Sequence, residues 1–483
     1  MSNYCSYSLR ELHALLTKGE LTSLELVEAA LSRLEELNPI LNALVLVNTE
    51  NALNAAKQAD SDISKGKIRG LLHGIPVTIK DNIEVKGLPT TAGFQPFRNN
   101  ISEVDAEIVE QLKKAGAIII GKTNLPALTY DLQTNNKLFG RTNNPWNIDH
   151  TPGGSSGGCA ASVAARISIL SFGNDSGGSI RIPAHFCGVY GFKASLDGIS
   201  TNGIVTQLQK KAHPLSMRTL LSAGILGNSV EDVHAALNII GTKKLLPPSK
   251  SPPSSSPIKL LWISELKGLE VDRAIKTAMT QLREKLAESG IRIDDYSEEQ
   301  FDFNETLRLW GHLSNYETGK ELPVIARYAG NLIMKPKYAK IPMYTDLLKP
   351  ISREKYRRVR HRHEEVKQQF EKLMNEYDAL ILPTSSVLAF PHQSPDRSLG
   401  HLGIYTTPLN VNEKEIHYAI ATQSYALPFN VLESPVLTLP IALSKKQLPI
   451  GVQLVGKKHR DFDLLELASQ LDKLIPSIGA PEI

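Results

Sequence analysis

Two serines of this 483-residue chain sit in separate glycine-rich loops. Ser155 lies in Gly153-Gly154-Ser155-Ser156-Gly157-Gly158, and Ser179 in Asp175-Ser176-Gly177-Gly178-Ser179-Ile180-Arg181. Well upstream, Lys80 closes the apolar run Gly74-Ile75-Pro76-Val77-Thr78-Ile79-Lys80-Asp81. A serine hydroxyl is a poor nucleophile until a base removes its proton. Lysine can be that base only when neutral, which requires a pKa lowered by burial. Glycines let backbone N–H groups converge on a negative charge, such as a developing oxyanion. Together the three segments supply a nucleophile, a proton relay, a base and aimed amides. Those are the parts needed to attack an amide carbonyl without histidine or metal.

Each part has a plainer reading. Either loop alone is a tight turn, and Lys80 alone is a strand-end lysine reaching solvent. A phosphate loop would need Gly-Lys-Ser/Thr after its glycines, and neither loop has it. Gly153-x-Ser155-x-Gly157 matches the nucleophile elbow of α/β-hydrolases, but that elbow needs a strand directly before its serine. Asn147-Ile148-Asp149-His150-Thr151-Pro152 does not read as a strand, so the nucleophile is assigned to Ser179. Asp81 would oppose a lowered Lys80 pKa if its carboxylate faced inward. No motif places a histidine beside Cys159 or Cys187, and both read as small core residues. His361 and His363 are two apart, which on a helix points them to different faces, so no metal is expected there. Glu364 and Glu365 follow the basic run Arg357 to His363, which reads as a solvated helix face rather than an RNA-binding one.

The elements that must position these residues alternate between strand and helix. Ser8-x-x-Glu11 and Thr22-x-x-Glu25 read as capping boxes, and Leu24, Val27, Leu31, Leu34 and Leu37 form one apolar helix face. Strands are expected over Ile75 to Lys80, Ala117 to Ile120 and Ile167 to Phe172, and helices over Asp105 to Ala115 and Cys159 to Ala165. Asn143 to Gly154 reads as irregular loop, because its Asn-Pro and Pro-Gly-Gly clusters break regular structure. Further along, Ile258 to Ile263, Ala379 to Leu382, Val436 to Leu439 and Pro449 to Val455 read as strands and Arg273 to Ser289 as a helix. The Pro/Ser-rich stretch over 245–257 is an exposed connector. The expected organisation is one α/β unit over 1–483: a helical segment (1–65), a core bearing both loops (66–240), the connector, and the remainder (258–483).

Composition excludes several classes. Fifty-four basic against 50 acidic side chains leave +4, too little to imply a nucleic acid or a membrane surface. No apolar stretch approaches the roughly 18 residues of a membrane span. Met1-Ser2-Asn3-Tyr4-Cys5 lacks the layout of a signal peptide, and three scattered cysteines argue against a disulfide framework. A cytoplasmic setting is expected.

Gly153 to Ala184 resembles the signature block of the amidase signature family. Gly74 to Asn82, Gly121-Lys122-Thr123-Asn124, Phe139 to Pro145 and Pro449 to Leu454 are similar to further family blocks, so the resemblance spans nearly the whole chain. It implies a three-layer α/β/α fold with a mixed central sheet and a Ser–cis-Ser–Lys triad. Ser179 would be the nucleophile, Ser155 the bridging serine after a cis peptide bond, and Lys80 the base. It also implies an oxyanion hole of the amides of Ser176, Gly177, Gly178 and Ser179, with Leu128, Thr129 and Tyr130 lining the pocket. Asp175 and Arg181 are read as pins for the shape of that loop. Ser176 stands where threonine is usual, Cys159 where another small residue is usual, and Phe192-Lys193-Ala194-Ser195 lacks a common proline. Gln207 to Arg218 and Thr345 to His363, which shape pockets in the family, look unlike the best-known relatives.

The expected function is hydrolysis of a linear carboxamide through an acyl-serine, with no cofactor or metal. The partner expected is a small-molecule amide, with no nucleic acid or membrane, and a homodimer is compatible with the chain. The alternative is the glutaminase subunit of a tRNA-dependent amidotransferase, although Asn135 to Gly140 looks more like stand-alone amidases. A non-catalytic scaffold is a third reading, which the complete triad argues against.

Overall fold

Eleven strands join in one mixed sheet in the computed structural model, which describes residues 4, 7–205, 219–249, 257–319, 327–328, 331–332, 341–344, 351–396 and 405–483. In chain order they are β1 (Leu44–Val47), β2 (Pro76–Lys80), β3 (Ile118–Thr123), β4 (Leu170–Asp175), β5 (Tyr190–Lys193), β6 (Ser222–Gly227), β7 (Lys259–Trp262), β8 (Arg292–Asp295), β9 (Ala379–Pro383), β10 (Val436–Leu443) and β11 (Pro449–Val455). Their spatial order is β1-β3-β2-β4-β6-β5-β10-β11-β9-β7-β8. β2 lies parallel to both β3 and β4, whereas β4–β6, β5–β6, β5–β10 and β10–β11 are antiparallel. This is the α/β fold with a mixed central sheet that the sequence implied.

Every residue of β2, β3, β4 and β11 is buried, so both faces of the sheet's centre are covered. β3 shows the alternation. Ile119 packs in the large core with Ile108, Val109 and Leu112 of the helix Glu107–Lys114. Ile118 and Ile120 point the other way, into a second core with Val27, Leu34 and Leu37 of the helix Ser23–Leu41. The two expected capping boxes are both formed, by Ser8 with Glu11 and by Thr22 with Glu25.

Three strands differ from expectation by more than one residue, among them β10, which runs on to Leu443 rather than ending at Leu439. β3 runs on to Thr123, because Lys122 and Thr123 still pair with Ile79 and Lys80. β4 begins at Leu170 rather than Ile167. The helix Gly157–Ala164 ends in a turn in which Arg166 takes φ 58° and Ile167 N–H returns to the carbonyl of Ser162. Residues 250–256 of the connector and the whole expected pocket segment over 207–218 lie outside the described residues. So do residues 345–350 of the second pocket segment, while the helix Arg353–Met374 holds its remainder.

Candidate active site

Lys80 and Asp175 sit at the C-terminal ends of adjacent parallel strands, where sites in open α/β sheets gather. Strand alternation puts Thr78 and Lys80 on one face of β2. That face meets the helix Gly157–Ala164, and Thr78 Oγ1 lies 3.3 Å from Ser162 Oγ. The helix can come this close because Gly158 has no side chain. A Cβ there would fall 2.5 Å from the Asn124 nitrogen and 2.6 Å from the Ala43 carbonyl oxygen. The close approach carries Ser155, just before the helix, onto Lys80.

Lys80 Nζ lies 2.7 Å from Ser155 Oγ and 3.5 Å from the Asn174 carbonyl. Burial lowers the lysine to about 7, outweighing the upward pull of Cys159 and Asp175. Asp81 takes no part. Its carboxylate accepts the Thr91 hydroxyl and lies 3.7 Å from Lys122 Nζ. The Ser179 loop joins the pair through its backbone, the Ser179 carbonyl accepting from Ser156 N–H at 3.1 Å. The Gly154–Ser155 bond is cis. Exposure rises along the series, from 0% at Lys80 through 1% at Ser155 to 7% at Ser179.

The loop after β4 is held by a buried polar cluster. Asp175 Oδ1 accepts from Gly178 N–H (2.8 Å) and Arg181 Nη2 (2.9 Å), and Oδ2 accepts from Ile180 N–H and Arg181 Nε, both at 3.0 Å. Burial would raise this carboxyl, but the Arg181 guanidinium and the hydrogen bonds hold it well below the usual range. Arg181 also donates to the Ala426 carbonyl, Gln453 Oε1 and Asn430 Oδ1, and Asn430 returns a bond to the Asp175 carbonyl. Trp310 Nε1 donates to the Ser176 carbonyl at 2.7 Å.

This wiring changes one expectation. Gly178 N–H is turned toward Asp175 rather than toward a reacting carbonyl. Gly178 instead serves the loop through its backbone, at φ 109°. The amides of Ser176, Gly177 and Ser179 have no acceptor among the described residues.

Leu128 packs against Ala92 and Phe97, Thr129 is half-buried and Tyr130 exposed; Leu128 and Thr129 both take left-handed conformations. Cys187 is buried, which pushes its thiol far up, and Cys159 Sγ meets Thr123 Oγ1. His363 is buried with Nε2 2.6 Å from the Val431 carbonyl, while exposed His361 pairs with Glu365. Arg358, Arg360 and Arg362 pair with Glu354, Glu364 and Glu305, so the basic run is an ion-paired stretch of helix. Ser195 is fixed without the missing proline, by Asp461.

A model of the family described as Amidase matches residues 25–465. The chain belongs to the Amidase family. This makes it an amidase-type hydrolase. Among curated proteins it is 30% identical over 501 residues to a subunit of the glutamyl-tRNA(Gln) amidotransferase of Nostoc punctiforme, covering 95% of this chain and 96% of the relative. Among solved structures, one described as an amidase is 30% identical, with a TM-score of 0.78 over 97% of this chain and 100% of that one. A 6-aminohexanoate cyclic dimer hydrolase is 24% identical with a TM-score of 0.81, covering 99% of each chain, a likeness of fold. Among the described residues no helix is long and apolar enough to cross a membrane.

Proposed function

We propose that the protein hydrolyses a linear carboxamide, R–CO–NHR′, through an acyl-serine. The buried 2.7 Å contact between Lys80 Nζ and Ser155 Oγ carries this reading. It joins a lysine lowered by burial to about 7 to a hydroxyl whose neighbour Ser156 bonds the backbone of the more accessible Ser179. Ser179 Oγ attacks the carbonyl carbon while its proton passes to Ser155, whose own proton goes to Lys80. The oxyanion is met by the amides of Ser176, Gly177 and Ser179, and losing one such donor typically costs about 2.7–4 kcal/mol of transition-state stabilisation. The C–N bond then breaks as the proton returns through Ser155 to the departing nitrogen. Water enters by the same relay and leaves a carboxylic acid and a regenerated Ser179. Exposure supports this assignment: the attacking group must meet substrate, and the base must stay dry to remain neutral.

The curated relatives favour a second reading, in which the same three residues release ammonia from glutamine inside an amidotransferase. A panel of aliphatic, aromatic, peptide, fatty and glutamine amides, assayed for ammonia or amine release, separates the two. Turnover of simple amides by the isolated chain supports the stand-alone enzyme. Activity restricted to glutamine, with co-purification of a tRNA-binding protein, supports the other reading, and no release from any amide overturns both.

A further inference from the structure

Asp131 follows the left-handed pair Leu128 and Thr129 and is half-buried. Its Oδ1 accepts from Leu132 N–H (2.6 Å), Gln133 N–H (2.9 Å) and the Tyr418 hydroxyl (2.7 Å). Burial pushes the carboxyl up to about 7, against those hydrogen bonds and one from the Tyr405 backbone. Among the described residues no lysine, arginine or histidine stands within ion-pair distance of it. The turn needs only one carbonyl-type oxygen, which an asparagine would supply equally. The second oxygen is therefore surplus to the turn, and a cationic partner would draw this carboxyl into its charged form.

The Asp131 backbone lies against the catalytic region. The Asp131 carbonyl oxygen is 2.8 Å from where a Cβ on Gly154 would stand, so the residue abuts the peptide bond that carries Ser155. Tyr418 opens the helix Tyr418–Gln423, whose last residue, Gln423, donates to the Tyr344 hydroxyl. Gln423 Oε1 is 3.7 Å from the Cβ position of Gly177, in the Ser179 loop. The Asp131 charge reaches Tyr344 and helps raise its hydroxyl, after burial. The Tyr344 ring meets Trp310 edge-on at 6.2 Å, and Trp310 is bonded to the Ser176 carbonyl. Asp131, Tyr344, Gln423 and Trp310 thus link the Ser155 side of the site to the Ser179 side. A carboxylate beside tyrosine rings is the chemistry that holds an ammonium ion.

We propose that Asp131 is a specificity residue that binds a cationic group of the substrate, so that the preferred amides carry a protonated amine. This rests on the amidohydrolase reading of the same site. The ammonium would donate to the carboxylate and supply the counter-charge that no described residue supplies.

The test compares kcat/KM for 3-aminopropanamide, 4-aminobutanamide and 5-aminopentanamide with butanamide, pentanamide and hexanamide, their neutral isosteres. At least one ammonium amide should be favoured by roughly ten- to hundredfold, the worth of one hydrogen bond to a charged group. In Asp131→Asn, which keeps the Oδ1 acceptor, that ratio should fall to near one. A second measurement needs neither turnover nor a variant: calorimetry should show butylammonium binding the wild-type protein at least tenfold more tightly than 1-butanol. Neutral amides preferred throughout, a ratio that survives in Asp131→Asn, or equal binding of butylammonium and 1-butanol would each overturn the assignment. Hydrolysis of neutral amides without preference defeats this inference alone. Absence of hydrolysis with butylammonium still bound defeats the amidohydrolase reading instead.

Discussion

Replacing Lys80 with methionine should abolish activity and yet stabilise the fold at neutral pH. Burial lowers this lysine from 10.5 to about 7. At about 1.4 kcal/mol per unit, that difference is about 5 kcal/mol of folding free energy withheld from the charged form. The sign follows from proton binding. Between pH 7 and 10.5 the unfolded chain holds the lysine proton more firmly than the folded one. Stability therefore falls as pH drops from 10.5 to 7, and below 7 the full cost applies. Methionine removes that cost but leaves Ser155 Oγ without its 2.7 Å partner, a loss of about 1–3 kcal/mol. A net gain of a few kcal/mol is expected at pH 7, and the gap should nearly close by pH 9.5. The same shift sets the wild-type rate. At pH 7.5 roughly three quarters of Lys80 is neutral, against about one part in a thousand for an unperturbed lysine. So kcat/KM should climb tenfold per pH unit below 7 and level off above about 8. Melting temperatures of both proteins at pH 7 and 9.5, with initial rates from pH 5.5 to 9.5, check both halves. An acid limb centred near 10, or a methionine variant less stable by the same margin at both pH values, would refute this reasoning.

Other expectations concern the loop and the relay. Ser155→Ala should lower kcat by roughly 10²–10⁴-fold, with a modest drop in melting temperature from the lost bond to Lys80, since it removes a proton carrier and little packing. Asp175→Asn should cost about 3–5 kcal/mol of stability, read by thermal melting, because it strands the buried Arg181 guanidinium. Gly178→Ala places a Cβ 2.5 Å from Ile182 Cδ1 at φ 109°, so kcat should collapse while substrate KM moves little. Trp310→Phe removes one hydrogen bond to the Ser176 carbonyl and should lower kcat by roughly tenfold, with a smaller change in melting temperature.

What the sequence revealed was local. Lys80, Ser155 and Ser179 stand in short motifs whose glycines and apolar neighbours mark them, and the structure brings Lys80 and Ser155 into contact. Pro449 to Val455, a mostly apolar strand, was legible residue for residue. The residues that surround the loops were not. Trp310, Gln423, Asn430 and Asp131 sit in ordinary-looking segments, and only the order of the sheet strands carries them to one place. Gln453 was visible as part of a motif, but its bond to Arg181 depends on β11 lying beside β10. The turning of Gly178 N–H toward Asp175 was likewise hidden, because composition shows which amides are free of side chains and not where they point.

The central claim, that Ser179 carries the acyl group, is tested most directly by a fluorophosphonate probe mapped by peptide mass spectrometry. One adduct per chain on Ser179, absent in Ser179→Ala together with all amide turnover, is the expected result. Labelling of Ser155 instead, or undiminished turnover by Ser179→Ala, would contradict it.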